Sequence, residues 1–200
     1  MLNLHEKKAL IVGGGKIAYR KAIGLLKAGA EITMISPDIY SKFNILLEKG
    51  QISWEQKEFE ESDLRDALIV IAATNRKSIN REIAQLVSDH QLINVVDESR
   101  LSNFHVPAKI TRGKLTIAVG TKGASPILAK NIRDEIADVY GESYGDYLHF
   151  LEKARKLVYS KEKNTVLRKE LLTGLAEKDY QNARNQRSFF ERLMSNNEGK

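Results

Sequence analysis

The chain has 200 residues, of which 42% are hydrophobic and 29% charged, so it is long enough to bury the core of one or two globular domains. It contains no cysteine, which excludes disulfides, thiolate nucleophiles and cysteine-based metal sites. No segment approaches the roughly 20 apolar residues of a membrane span, and the N-terminus is too polar for a signal peptide, so we expect a cytoplasmic protein with no membrane partner. Residues 151–200 carry +5 of the net charge of +6, which indicates either an anionic partner or a solvated helical surface.

The region from Lys8 to Lys21 has the pattern of a strand, a tight turn and a helix. An apolar run leads into three glycines, and small and apolar residues then recur at helical spacing. Gly13, Gly15 and Ala18 fit the G-x-G-x-x-G/A pattern, in which the glycines permit a sharp turn and a close approach of pyrophosphate to the helix N-terminus. The motif predicts a dinucleotide site. The alternative is a glycine-rich turn that binds no ligand.

The next 80 residues alternate between further strands and helices, which predicts an α/β fold with a Rossmann-like doubly wound parallel sheet. Two helices are expected, one over Ile39–Lys49 and one capped by Ser78. The expected strands are short and mostly apolar. A third strand has Ile52, Trp54 and Gln56 on one side, and the others lie at Glu31–Ile35, Leu68–Ala73 and Leu92–Val96.

Ligands of such sheets bind at the carboxyl ends of the strands, so the residues that follow each strand form the predicted site. An acid at the end of the second strand usually holds the adenosine ribose of NAD, but Asp38 lies slightly late for that role, which leaves the choice between NAD and NADP open. The residues at these ends are Gly13 and Gly15, then Ser36, Pro37 and Asp38, then Ala73, Thr74 and Asn75, and finally Asp97.

After Asp97 the pattern changes to a hairpin, with strands expected over Phe104–Thr111 and Leu115–Val119. A polar loop follows and leads to a helix that runs to about Tyr140, for which Ser125 is the predicted N-cap and Pro126 the first residue. That helix is expected to bury Leu128, Ile132, Ile136 and Val139. Beyond a break at residues 141–145, helical spacings predict two or three more helices and a polar, unstructured end from Ser195 onward.

Four segments together resemble the precorrin-2 dehydrogenase family, which also forms the N-terminal part of siroheme synthases. They read GGGKIAYRKA at 13–22, ATN at 73–75, INVVDESRLSNFHVPAKI at 93–110 and IAVGTKGASPILAKNIRDEI at 117–136. The resemblance implies NAD-dependent oxidation of precorrin-2 to sirohydrochlorin by a homodimer whose substrate cleft lies between domains. It also implies three parts, namely an NAD-binding Rossmann domain at 1–112, a small α+β dimerisation region at 113–145 and a helical domain at 146–200.

The same resemblance assigns roles to individual residues. It places cofactor contacts at Lys16 and Ile17, and at Pro37 and Asp38, and it makes Asp97 the functional aspartate. Asp97 also suits the general base on chemical grounds, since it follows a central strand, although a turn cap or a ribose contact would explain it too.

Precorrin-2 carries many carboxylates, so cations are expected in its site. Lys122, Lys130 and Arg133 are candidates, although each could instead be a surface charge. The family usually has a serine where Thr121 stands. With Ser125, this hydroxyl belongs to a loop whose helix N-terminus either receives an anion or is simply capped.

Three alternatives remain. A bifunctional enzyme would also insert Fe²⁺ into sirohydrochlorin, but His5, His90, His105 and His149 lack metal-ligand spacing and no metal site is predicted. A non-catalytic sensor module would bind NAD without chemistry. Nucleic-acid binding is not expected, because the basic segment lacks interleaved aromatic residues and a known motif.

Overall fold

The structure, a computed structural model, describes residues 2–195 and divides into two compact units, Met1–Val106 and Pro107–Lys200. The boundary between the units falls six residues before the predicted domain boundary at 112. A boundary at 112 would separate the two strands of the hairpin described below. Within the described residues no helix is both long and apolar enough to cross a bilayer.

The first unit contains one sheet of five parallel strands in the order β3-β2-β1-β4-β5. The direction of strand order reverses between β1 and β4, which confirms the doubly wound Rossmann-like sheet. The strands are β1 (Lys8–Val12), β2 (Glu31–Ile35), β3 (Ile52–Glu55), β4 (Ile69–Ala72) and β5 (Leu92–Val95).

Helices lie on both faces of this sheet, as parallel strands with continuous apolar runs require. Along β1, Ala9 and Ile11 enter one core, and Leu10 and Val12 enter the other. The helices are α1 (Lys16–Leu26) and α2 (Phe43–Glu48), which pack on the first core, and α3 (Lys77–Leu86), which packs on the second.

Two predicted helix starts were wrong. α2 begins at Phe43 and not at Ile39, because the Tyr40 N–H donates to the carbonyl of Gly14 at 2.7 Å and holds the preceding residues in a loop. α3 begins after Arg76 and is not capped by Ser78. Thr74 Oγ1 instead accepts from the Arg76 N–H at 3.1 Å.

The second unit begins with an antiparallel hairpin, whose first strand starts four residues later than predicted. Ser125 caps the following helix as predicted, since its hydroxyl accepts from the Leu128 N–H at 3.1 Å. Ser195 ends the last helix and is not part of a tail; the rest of the predicted tail, 196–200, lies outside the described residues. The elements are β6 (Ala108–Arg112), β7 (Leu115–Val119), α4 (Pro126–Val139), α5 (Ser143–Lys161), α6 (Thr165–Gly174) and α7 (Ala183–Ser195).

The apolar face predicted for α4 is only partly covered. Ala129 is buried, but Leu128 is 51% exposed and Val139 is 69% exposed, so the prediction that both are buried was wrong. Ile127, next to Leu128, is 74% exposed. Helical spacing identifies an apolar face but does not say what covers it.

The helices α5–α7 have a core of their own. It is largely aromatic, and the Tyr147 hydroxyl inside it donates to the carbonyl of Leu175 at 2.7 Å. Burial raises the pKa of this phenol. The buried residues of this core are Tyr147, Phe150, Ala154, Val158, Leu175 and Phe189.

Candidate functional site

A cleft of about 700 Å³ opens at the carboxyl ends of β1, β2 and β4. All the residues predicted to contact a cofactor line it, which places the segments that follow three different strands around one space. They are Gly13, Gly15, Lys16, Ile17, Ser36, Pro37, Asp38, Ala73, Thr74 and Asn75.

A larger groove, of about 820 Å³, contains none of the predicted site residues. It lies where the crossover between β3 and β4 has only a short 3₁₀ helix, Glu61–Leu64, so the polar face of β2 and β3 is incompletely covered. It extends to Lys8, Glu31 and Gln51, which lie at the amino ends of strands. Because ligands of such sheets bind at the opposite edge, the smaller cleft is the candidate cofactor site.

Two glycines allow the loops around the cleft to approach one another. Gly13 has φ +113°, and a Cβ there would lie 2.3 Å from the carbonyl oxygen of Ala73. A Cβ on Gly14 would lie 2.0 Å from the carbonyl oxygen of Asp38 and 2.6 Å from Ser36 Oγ. The dinucleotide pattern leaves the Gly14 position variable, so sequence reasoning missed this requirement, although the unbroken run of three glycines is a signal for it.

Gly15 has a different role, because a Cβ there would meet no atom within 4 Å. It is the N-cap residue of α1 and provides no side-chain cap, and the first turn contains no acidic residue. The N–H groups of that turn and the positive end of the helix dipole are therefore available to an anion, and Lys16 adds a cation. These features fit the pyrophosphate of a dinucleotide.

The loop after β2 is fixed by hydrogen bonds to its backbone. Ser36 Oγ donates to the carbonyl of Asp38 at 2.7 Å, and Trp54 Nε1 donates to the carbonyl of Ser36 at 3.0 Å. Gln56 Nε2 donates to the carbonyl of Pro37 at 3.0 Å. The Asp38 residue is exposed and lines the cleft, so its carboxylate is available to the hydroxyls of a ribose.

Asp97 follows β5 at the same edge of the sheet, but it is exposed and does not line the cleft. It is connected to the cleft through Asn80 of α3, whose Nδ2 donates to Asp97 Oδ1 at 2.9 Å. Asn80 Oδ1 accepts from the N–H of Thr74 at 3.1 Å and from its hydroxyl at 2.8 Å.

Sequence reasoning missed Asn80. Its side chain is 0% exposed, and it shares the buried face of α3 with Ile83. A polar residue on an otherwise apolar helical face is the signal that could have identified it, because a buried amide requires hydrogen-bonding partners.

Charged pairs surround these groups. Arg81 pairs with Glu98 at 2.8 Å, and the hydrogen bond to Glu98 raises the pKa of Arg81, with a smaller contribution from Asp97. Arg76 pairs with Glu58, and both residues line the cleft. These pairs hold the segments after β3, β4 and β5 next to one another.

The predicted substrate residues all lie in the second unit. The Thr121 hydroxyl accepts from the Ser125 N–H at 3.2 Å and donates to the Ser125 carbonyl at 3.1 Å, so these two residues form one turn. Lys122, with φ +50°, and Lys130 are exposed, whereas Arg133 pairs with the adjacent Asp134. Across residues 2–195 there is no group of three or more potential metal-binding His, Asp or Glu side chains.

Comparison with known proteins agrees with this architecture. An NAD(P)-binding family matches residues 1–108, and the central part of sirohaem biosynthesis proteins matches residues 112–138. The precorrin-2 dehydrogenase of Priestia megaterium is 34% identical over 194 residues, which cover 96% of each chain. The solved structure of SirC, precorrin-2 dehydrogenase, superposes with a TM-score of 0.87 at 33% identity and covers 98% of both chains.

Siroheme synthases also match, but only over part of their length. That of Xylella fastidiosa (strain M12) is 36% identical over 169 residues, which are 84% of this chain and 36% of the longer protein. The dehydrogenase of Priestia megaterium, in contrast, matches over 96% of its own length. By these similarities the chain belongs to the family of precorrin-2 dehydrogenases and siroheme synthase N-terminal modules.

Proposed function

We propose that this protein is an NAD-dependent precorrin-2 dehydrogenase, which oxidises precorrin-2 to sirohydrochlorin in siroheme biosynthesis. The observation that carries the proposal is the cleft at the carboxyl ends of β1, β2 and β4. The Asp97 carboxylate is linked to this cleft by the hydrogen bonds of Asn80. Family membership supports the same reaction. Since such an enzyme draws on the NAD pool, we expect it to work in the cytoplasm.

The reaction removes one hydride and one proton from the tetrapyrrole. NAD⁺ supplies the hydride acceptor. The N-terminus of α1 and Lys16 bind the pyrophosphate, and Asp38 accepts hydrogen bonds from the ribose. Asp97 accepts the proton as general base, and it passes this proton to water when the product leaves.

Formation of NADH tests the proposal directly. Purified protein, mixed with NAD⁺ and precorrin-2 without oxygen, should produce one NADH for each sirohydrochlorin formed. Turnover would also exclude a non-catalytic sensor module. Binding of NAD⁺ without any turnover would contradict the proposed enzyme and favour that sensor.

We propose that the cofactor is NAD and not NADP, and that Asp38 makes this choice. A carboxylate at the end of β2 attracts ribose hydroxyls and repels a 2′-phosphate. We expect Asp38→Asn to raise kcat/KM for NADP⁺ relative to NAD⁺ by about tenfold, because one charge near the phosphate is removed. Parallel initial rates with both cofactors measure the ratio. Asp89→Asn, an exposed acid of the same unit outside the cleft, is the control and should leave the ratio unchanged.

The carboxylates of precorrin-2 are proposed to bind in the second unit. Support comes from the exposed side chains of Lys122 and Lys130, which have no ion pair within 4 Å among the described residues. Arg133 and the hydroxyls of Thr121 and Ser125 complete the proposed set, on the same loop and helix.

We further propose a homodimer that covers the exposed part of α4. Ile127, Leu128 and Val139 present large apolar side chains to solvent in the single chain, which is costly unless another surface covers them. Leu128→Asp is expected to shift the protein from dimer to monomer, because an unpaired charge would be buried at the interface. Light scattering coupled to size exclusion measures the mass. Glu135→Asp, a conservative change at an exposed position of α4, should remain dimeric.

The partial match to siroheme synthases keeps a second activity open, the insertion of Fe²⁺ into sirohydrochlorin. Asp97 would then remove the pyrrole protons as well. Loss of sirohydrochlorin absorbance on addition of Fe²⁺, measured against the rate without protein, tests this activity separately from the dehydrogenation.

A further inference from the structure

The side-chain amide of Asn80 has a complete set of hydrogen bonds. Oδ1 accepts twice from Thr74, at 3.1 and 2.8 Å, and Nδ2 donates to the Thr74 carbonyl at 3.2 Å and to Asp97 Oδ1 at 2.9 Å. Two acceptor sites and two N–H donors are all that a primary amide offers. The Thr74 N–H can only donate, so it fixes which end of the amide is oxygen, and Nδ2 must face the carboxylate.

The Asp97 side chain, in contrast, makes few contacts besides its bond to Asn80. It is exposed, it follows the last residue of β5 by two positions, and within residues 2–195 the Asn80 amide is its only side-chain hydrogen-bond partner. The bond engages Oδ1 and leaves Oδ2 without a partner in the same part of the chain. This arrangement suits a general base, because one oxygen fixes the orientation and the other is free to take a proton.

The same amide is also bonded to a residue that lines the cofactor cleft. Thr74 lines that cleft, and three of the four bonds of Asn80 go to Thr74. One side chain therefore fixes the position of the Asp97 carboxylate, after β5, relative to the segment after β4. Asn80 itself is 0% exposed, so it does not contact a ligand.

We propose that Asn80 is a positioning residue, which orients the Asp97 carboxylate relative to the cofactor cleft so that Oδ2 can accept the substrate proton. This inference rests on the proposed function for its kinetic consequence, but the contact itself can be tested without turnover. It predicts that the effect of Asn80 on kcat passes through the Asp97 carboxylate.

The first test is a nuclear magnetic resonance titration of the protein alone. The side-chain amide signals of Asn80, identified as the pair missing in Asn80→Asp, should shift in one step as Asp97 takes up a proton. Asp97→Asn keeps an acceptor oxygen but cannot titrate, so the step should disappear in that variant. Signals that do not move, or that move equally in Asp97→Asn, would overturn the proposal whether or not the protein oxidises precorrin-2.

The second test is a double-mutant cycle on the full chain. Asn80→Ala should lower kcat by about 10- to 100-fold, the usual effect of losing a hydrogen bond to a charged group. In the Asp97→Asn background the same change should cost no further activity. Equal losses in both backgrounds would show a general structural role and contradict the proposal.

The third test is the pH dependence of kcat in Asn80→Asp, whose side chain has nearly the same shape as asparagine. The variant keeps both acceptor bonds to Thr74 but loses the two bonds that Nδ2 donates, to the Thr74 carbonyl and to Asp97. Because it places a second carboxylate beside Asp97, the acidic limb of the kcat profile should move to higher pH. The other charged groups near Asp97 are Arg81 of α3 and Glu98, and they are paired with each other at 2.8 Å. Asn94→Asp is the matched control, since Asn94 is 6% exposed in β5 and donates to the Phe104 carbonyl. It should lower the melting temperature without moving that limb; an equal movement in both variants would overturn the assignment.

Discussion

Asp97→Asn is expected to lower kcat for precorrin-2 oxidation by about 10²- to 10⁴-fold, which is the usual contribution of a positioned general base. The substitution keeps the size of the side chain and an oxygen that can accept from Asn80 Nδ2, so the local structure should survive. What is lost is the ability to take a proton. Because Asp97 does not line the cleft, the Kd for NAD⁺ should change by less than about threefold.

The measurement combines steady-state rates of NADH formation with a direct titration of NAD⁺ binding. Glu98→Gln is the matched control, because it neutralises the adjacent carboxylate, whose partner is Arg81. It should leave kcat within a few-fold of the parent. If Asp97→Asn keeps the parental kcat, the base is another residue, and this result leaves the proposed dehydrogenase activity unaffected. If it instead loses NAD⁺ binding, Asp97 is a ribose contact and not a base.

The sheet and the cofactor cleft could be predicted because their signals are local. The apolar runs of β1 and β4 are continuous, the glycine run lies between β1 and α1, and the polar residues of the cleft directly follow strands. Parallel topology then brings those ends to one edge without any knowledge of side-chain packing. The starts of α2 and α3 were wrong for the opposite reason, because the bonds from Tyr40 to Gly14 and from Arg76 to Thr74 override local helix signals.

The sequence could have marked Asn80 as a polar residue on an apolar helical face, but it could not show which groups its side chain bonds to. Thr74 is six residues away and Asp97 is 17 residues away, and only the pairing of β4 with β5 beside α3 brings all three together. The exposure of α4 is a similar case. The 3.6-residue period indicates an apolar face, but whether its own chain or a second copy covers that face depends on tertiary and quaternary structure.

Gly13 in the turn and Gly24 in α1 are expected to respond in opposite ways to substitution by alanine. Gly13→Ala should lower the free energy of unfolding by about 3–5 kcal/mol, because the new Cβ would lie 2.3 Å from a carbonyl oxygen and the residue has φ +113°. Gly24→Ala is the matched control. Gly24 lies inside α1, and a Cβ there would meet no atom within 4 Å, so the same change should raise stability by about 0.5–1 kcal/mol.

Gly15→Asp separates the cofactor from the fold. Gly15 has extended backbone angles, φ −80° and ψ −177°, and open space for a side chain, and aspartate is a preferred N-cap residue. The variant should therefore melt at the parental temperature or slightly above it. Its carboxylate, however, would occupy the position where the pyrophosphate meets the N–H groups of α1, so we expect the Kd for NAD⁺ to rise at least about 100-fold through lost space and charge repulsion. Thermal denaturation and calorimetric titration of this variant and the parent check both halves. Parental NAD⁺ affinity in Gly15→Asp would mean that the dinucleotide does not bind at the N-terminus of α1. It would then contradict the proposal that the nicotinamide reacts beside Asp97.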